Sequence, residues 1–172
     1  YDCINVDFKP PLDESHQDYW VDVDICKYVE FQNAVVKFGP THIIHLAATL
    51  GMDHDSLDSL DANVKGVQNL INIISTMNLE RVLFISSLLV CKGGYIPKND
   101  TDYCAPNFYG ESKVLGEKKI REGNLNCEWA IIRPTSIWGP WFDYSYKKFF
   151  KVIDRNLYFH IPNNEIQKPA AF

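Results

Sequence analysis

Thr41-His42-Ile43-Ile44-His45-Leu46-Ala47-Ala48 is a near-continuous apolar run, the composition of a strand covered on both faces, as in a parallel sheet. It ends in small residues, which admit a flat ligand to the backbone and equally suit tight strand-to-helix packing. Before it, a helical pattern runs from Asp24, read as an N-cap, to about Lys37. Ile25, Val29, Ala34, Val35 and Phe38 share one face of that helix, and Gly39-Pro40 stops it. After it, residues 61–77 place Val64, Val67, Leu70, Ile71 and Ile74 at helical spacing. Within that helix Asn63 lies among apolar neighbours, and a buried amide requires a partner. Val82-Leu83-Phe84-Ile85-Ser86-Ser87 and Glu128–Arg133 read as further buried strands, separated by a helix that opens near Pro106-Asn107. Shorter strands are expected at Tyr1–Asp7 and Trp20–Val23, around a polar, proline-bearing loop, and a short helix at Tyr144–Ile153. Strands alternating with helices at this rhythm predict an α/β protein with a parallel sheet wrapped on both faces and its site at the strands' carboxyl ends. Asp7, Ala47-Ala48, Ser87 and Pro134 all fall at those ends.

Composition narrows the function. Over 172 residues, 46% apolar and 23% charged is the make-up of one globular domain with a sizeable core. The net charge of −5 argues against nucleic acid or an anionic membrane as main partner. With no long apolar run and no leader pattern, a cytoplasmic protein is expected. The five cysteines never form C-x-x-C and read as reduced, mostly buried thiols. His42 and His45 point to opposite faces of their strand. Asp53, His54, Asp55 and Asp58 read as a solvated loop entering a helix N-terminus, so no metal site is expected.

The chemistry is concentrated in Tyr109-Gly110-Glu111-Ser112-Lys113. A tyrosine and a lysine at this spacing project from one face of a helix. An ammonium held near the phenol lowers its pKa toward neutrality and makes it a general acid/base; the alternative is an ordinary helix-surface pair. Asp7, at a strand's end, is placed to hydrogen-bond an adenosine ribose, or simply opens the turn before Pro10-Pro11.

Together, His45-Leu46-Ala47-Ala48, Asn63-Val64-x-Gly66, Ser86-Ser87, Tyr109-x-x-x-Lys113 and Arg133-Pro134 through Gly139-Pro140 resemble the extended short-chain dehydrogenase/reductases. More narrowly they resemble the NAD-dependent epimerase/dehydratase family of the UDP-galactose 4-epimerase kind. The resemblance implies a Rossmann-like, doubly wound sheet at 1–157, with 158–172 as a tail or the start of a substrate-binding part. It makes Tyr109 the acid/base, with Lys113 tuning it and holding the nicotinamide ribose, and Ser87 bonding the substrate oxygen. Asp7, Asp24, Ile25, Leu46, Ala47, Ala48, Asn63 and Thr135 would contact NAD, and Ser136 the substrate. The substrate implied is a nucleotide sugar, epimerised through a transient keto-sugar. A homodimer through helices 61–77 and 107–122 is implied as well.

Two departures bear on this. Where sugar dehydratases place an Asp-Glu pair after the serine, this chain has Leu88-Leu89, which demotes water elimination. There is also no G-x-x-G-x-x-G, so the first strand-loop-helix is expected to be missing. Because the chain stops soon after the helix at 144–153, the C-terminal substrate domain is expected to be missing too. Such a chain would on its own bind NAD poorly and turn nothing over. Two alternatives stand beside the epimerase: an NAD(P)-dependent carbonyl or sugar reductase using the same trio, and a non-catalytic remnant of the fold. Asp7 favours NAD over NADP, because its charge repels a 2′-phosphate.

Overall fold

The computed structural model describes residues 2–51, 54–137, 139 and 146–157, with the backbone alone at 146–148. Tyr1, Asp53, Pro140, the start of the helix expected at 144–153 and the tail 158–172 lie outside the described residues. The chain divides into Tyr1–Pro134 and Thr135–Phe172, which are taken separately.

In the first unit the alternation of strands and helices is present, and every strand pairing is parallel. The sheet, however, is in two pieces. Strands β1 (Asn5–Asp7) and β2 (Trp20–Asp22) form one ribbon. The Trp20 indole N–H donates to the Asp7 carbonyl at 2.7 Å and locks their register. The segment between them, expected as loop, contains a 3-10 helix at Glu14–Tyr19 capped by the Asp13 carboxylate.

Strands β3 (His42–His45), β4 (Arg81–Ile85) and β5 (Glu128–Ile132) form the second sheet, with β4 in the middle. Flanked on both sides, β4 buries Val82 and Phe84. Its pairing with β5 continues past the strand ends: Ser86 N–H donates to Ile132 O at 2.7 Å and Leu88 N–H to Pro134 O at 3.2 Å. β5 was expected to be buried; it is an outer strand, with Trp129 38% and Ile132 43% exposed.

Helix α1 (Tyr28–Phe38) starts later than expected. The Asp24 carboxylate accepts from Cys26 N–H at 2.8 Å and closes a turn before the helix, so Asp24 is not its cap. The helix ends at Gly39, whose φ of 66° suits a residue without Cβ. Helix α2 (Val67–Ile74) is preceded by a π turn at Ala62–Gly66. It supplies Leu70, Ile71, Ile73 and Ile74 to the core, against Phe31 and Val35 of α1 and Val82 and Phe84 of β4. Helix α3 (Phe108–Glu122) is capped by Asn107, whose side chain accepts from Gly110 N–H at 2.9 Å.

Between β1 and β3 lies a cavity of about 740 Å³, walled by Asp2–Asp7, Pro40–Ala47 and apolar side chains of α1 and α2. The facing edges of β1 and β3 carry no strand partner among the described residues. Accordingly β3, expected to be covered on both faces, leaves Ile44 59% exposed and the following Leu46 65% exposed. The cysteines are free thiols, but Cys3 is exposed and the other four half-buried, so the expected burial is not reached. The described part of the second unit includes helix α4 (Tyr146–Asp154), on which the Phe149 and Phe150 rings meet at 5.9 Å. Among the described residues no helix is long and apolar enough to cross a membrane.

Candidate active site

The carboxyl end of β4 and the first turns of α3 meet. Ser87 leaves β4 in extended backbone and caps the short 3-10 turn Leu88–Val90, its Oγ accepting from Leu89 N–H at 3.1 Å. That turn is pressed against α3. A Cβ at Gly110 would fall 2.2 Å from the Leu89 carbonyl oxygen, so a side chain there would drive Tyr109 away from Ser87.

Lys113 is 9% exposed. Its Nζ donates to the Ile85 carbonyl at 3.1 Å and lies 5.9 Å from the centroid of the Tyr109 ring. One proton of the ammonium is thereby committed and two remain. The structure thus brings Ser87, Tyr109 and Lys113 together.

The electrostatics differ from the expectation. Burial pushes the Tyr109 phenol above its ordinary pKa, and a hydrogen bond with Ser87 opposes this only in part. Burial also pulls the Lys113 ammonium down to about 8, with the Glu117 charge opposing. The predicted lowering of Tyr109 by Lys113 is therefore not found in the protein alone: both groups are desolvated, and desolvation penalises each charged form.

Asn63 has the partners a buried amide requires. It donates to Thr49 O at 3.0 Å and to Ser112 Oγ at 2.9 Å, and accepts from Thr49 N–H at 2.8 Å. This ties the segment after β3 to α3. His45 is buried against Phe84, and its Nε2 has no hydrogen-bond partner among the described residues. Burial pulls its pKa down to about 4, with the Lys113 charge adding to the effect, so the imidazole is neutral.

The other predicted contacts separate into groups. Asp7, Ile25, Leu46 and Ala47 all line the cavity between β1 and β3. Asp7 keeps one carboxylate oxygen on Lys9 N–H at 2.9 Å, and the other suits a ribose hydroxyl. Ile25 is buried over Gly66. Asp24, Ala48 and Asn63 do not line that cavity. Thr135 and Ser136 are exposed residues of the second unit. One residue that the sequence reading passed over is central: Glu117, buried one turn beyond Lys113. Its position on the Tyr109–Lys113 face was the available signal.

A parallel α/β unit with a serine at one strand end and a Tyr-x-x-x-Lys helix against it is the arrangement that the resemblance to the extended short-chain dehydrogenase/reductases implies. The comparisons agree. The profile of the NAD dependent epimerase/dehydratase family matches residues 1–158, and the chain belongs to that family.

Among curated proteins it is 30% identical over 122 residues to 3beta-hydroxysteroid-dehydrogenase/decarboxylase isoform 1 of Arabidopsis thaliana, covering 64% of this chain and 26% of that protein. It is 21% identical to short-chain dehydrogenase/reductase family 42E member 1 of Macaca fascicularis, over 78% of this chain and 39% of the relative. Among solved structures, the Bordetella bronchiseptica enzyme WbmG in complex with NAD matches with a TM-score of 0.68 at 23% identity, covering 80% of this chain and 44% of that one. Thermus thermophilus UDP-glucose 4-epimerase in complex with NAD matches at 0.59 and 24%, over 72% and 43%. The chain thus spans less than half the length of each of these.

The family's cofactor is NAD. Among the described residues Asp7 has one carboxylate oxygen without a hydrogen bond and Lys113 has two uncommitted protons, groups whose chemistry suits ribose hydroxyls. No glycine-rich backbone cradle for the pyrophosphate occurs in the sequence.

Proposed function

We propose that this chain carries the proton-transfer groups of an NAD-dependent enzyme that oxidises a secondary alcohol of a nucleotide-activated sugar and re-reduces the ketone, giving an epimer. The observation that carries the reading is the meeting of Ser87, Tyr109 and Lys113 at the end of β4. NAD, when bound, supplies the hydride acceptor. Tyr109 takes the hydroxyl proton and returns it on reduction. Ser87 Oγ accepts from Leu89 N–H, and its own hydrogen, turned to Tyr109 in the protein alone, would pass to the substrate oxygen when substrate is bound. Lys113, fixed on the Ile85 carbonyl, offers its remaining protons to the nicotinamide ribose and its charge to the phenolate. Leu88 and Leu89 supply no carboxyl beside Ser87, so elimination of water has no local acid or base.

Support for a sugar nucleotide comes from neighbours such as WbmG, solved with NAD and UDP. A homodimer through the α2 and α3 helices belongs to the same proposal. The second reading is net oxidation of a sterol-type alcohol. It is favoured by the Arabidopsis relative and by sterol-4-alpha-carboxylate 3-dehydrogenase erg26, decarboxylating, of Schizosaccharomyces pombe, 26% identical over 125 residues, and by the apolar Leu88-Leu89 pair.

The test is incubation of the full chain with NAD and either UDP-hexoses or a 3-hydroxysterol. Epimer without accumulated NADH supports the first reading, and stoichiometric NADH the second. Tyr109→Phe is expected to lower either turnover by about 10²–10⁴-fold. Unchanged turnover in that variant would remove Tyr109 from the chemistry.

A further inference from the structure

Glu117 is a buried charge to which the reaction above gives no task. It is 1% exposed, and both its oxygens are engaged. Oε1 accepts from the Ser86 hydroxyl at 2.6 Å and from Arg133 Nε at 2.8 Å. Oε2 accepts from an Arg133 terminal nitrogen at 2.6 Å and from the Tyr103 hydroxyl at 3.0 Å. The Arg133 guanidinium also lies over the Tyr103 ring, 5.4 Å from its centroid. These partners come from the end of β4, the residue after β5, and the loop that leads into α3.

Burying such a carboxylate is costly, and a well-packed apolar substitute for an ion pair is often at least as stable. Stability alone is therefore a poor account of it; register is a better one. Tyr109, Lys113 and Glu117 recur every fourth residue along one face of α3. They meet, in turn, Ser87, the Ile85 carbonyl and the Ser86 hydroxyl. Three neighbouring residues at the end of β4 are thus held by three successive turns of one helix, though not in chain order.

We propose that Glu117 is a positioning residue for the Ser87–Tyr109–Lys113 site: by clamping Ser86 to Arg133 and Tyr103 it fixes the position of α3 against the end of β4 and sets a carboxylate one helical turn from Lys113. This rests on the reading of that trio as the reacting groups. The charges around the pair are few. Lys113 faces His45 from β3, and Tyr109 and Glu117 from its own helix. Glu117 faces Arg133, Tyr103 and Arg121, with Asp100 ion-paired to Arg121 at 2.8 Å and Cys91 beside Arg133. Although burial works against its charge, hydrogen bonds from Arg133 and Ser86 hold the Glu117 carboxyl below its ordinary pKa, so it is an anion at neutral pH. The anion opposes the desolvation of Lys113, and its removal should move the lysine further toward the neutral amine.

The experiment is the NMR titration of Lys113 Nζ in the full chain, without substrate or NAD, in the parent, in Glu117→Gln and in the double variant Glu117→Gln/Arg133→Gln. The double variant removes both charges and leaves none uncompensated. Amide spectra report folding. A fall in the Lys113 midpoint by at least about half a pH unit in a folded variant is expected. An unchanged midpoint in a folded variant overturns the proposal. Failure of both variants to fold overturns it too, since Glu117 would then have no role at Lys113 separable from folding. Because neither cofactor nor turnover enters the readout, the two failures are told apart. An unshifted Lys113 overturns the role of Glu117. A shifted Lys113 in a protein inactive on every alcohol overturns the proposed function, and with it the trio as reacting groups, while the hold of Glu117 on Lys113 is kept.

Discussion

Strands β3 and β4 are alike in composition and differ in their surroundings. β4 has a parallel neighbour on each side and α2 across its face, and Phe84 is 1% exposed. β3 has a neighbour on one side and a cavity on the other, and Ile44 is 59% exposed. Polar groups follow the same division. Around β4 the buried Ser86, Lys113 and Glu117 are hydrogen-bonded, whereas His45 of β3 keeps an unpartnered nitrogen. The lesson is that an apolar strand is only as buried as its neighbours make it.

Truncation should give the widest separation between the two strands. Phe84→Ala is expected to cost about 3–5 kcal/mol, by lost transfer energy and the hole left in the core. Ile44→Ala should cost under about 1 kcal/mol. Chemical denaturation of the two variants measures this, and equal losses would break the contrast.

Acid should expose the weakness of His45 next. Its folded pKa of about 4 lies below its ordinary 6.5. Between these values the unfolded chain binds the extra proton, so stability falls as pH drops from 6.5 to 4. The loss is about 3 kcal/mol at most. Thermal melts across that window should show the slope in the parent and a shallower one in His45→Leu. Lys113 acts at the other end of the scale: with a folded pKa of about 8 against 10.5, its burial penalty is full below 8 and relieved as pH rises toward 10.5.

A smaller effect is expected at Gly110, on the well-packed side. Gly110→Ala should cost about 1–3 kcal/mol, because its Cβ meets the Leu89 carbonyl. If packing against the 88–90 turn positions Tyr109, the same variant in the full-length protein should also lower kcat more than it weakens NAD binding.

Much of this was legible in advance. The strand–helix alternation, the stop at Gly39 and the need of Asn63 for partners all follow from periodicity and local chemistry. The Tyr109–Lys113 face is legible for the same reason, since helical spacing is a property of the chain itself. The start of α1 was not, because an aspartate closes a local turn as readily as it caps a helix, and Asp24 does the former. Burial of β3 and β5 was over-read, because composition states a preference for cover and not whether a neighbour supplies it. The rise in the Tyr109 pKa was missed for a related reason: desolvation depends on what packs around a group, and spacing reports only which groups are near. Glu117 was visible as the next residue on the reactive face, but its donors come from three other segments.

The Trp20 indole, bonded to the Asp7 carbonyl within the β1–β2 ribbon, gives the less enclosed region its own lamp. Trp129 sits on the other sheet, opposite Val82. A molecule or segment that fills the space beside β1 would touch Asp7 and, through the carbonyl that Trp20 holds, should tint the emission of the first indole more than that of the second. Comparing Trp20→Phe with Trp129→Phe, each against the shared emission of Trp138 and Trp141, would separate the two contributions, so the protein can announce occupancy of its gap by light alone.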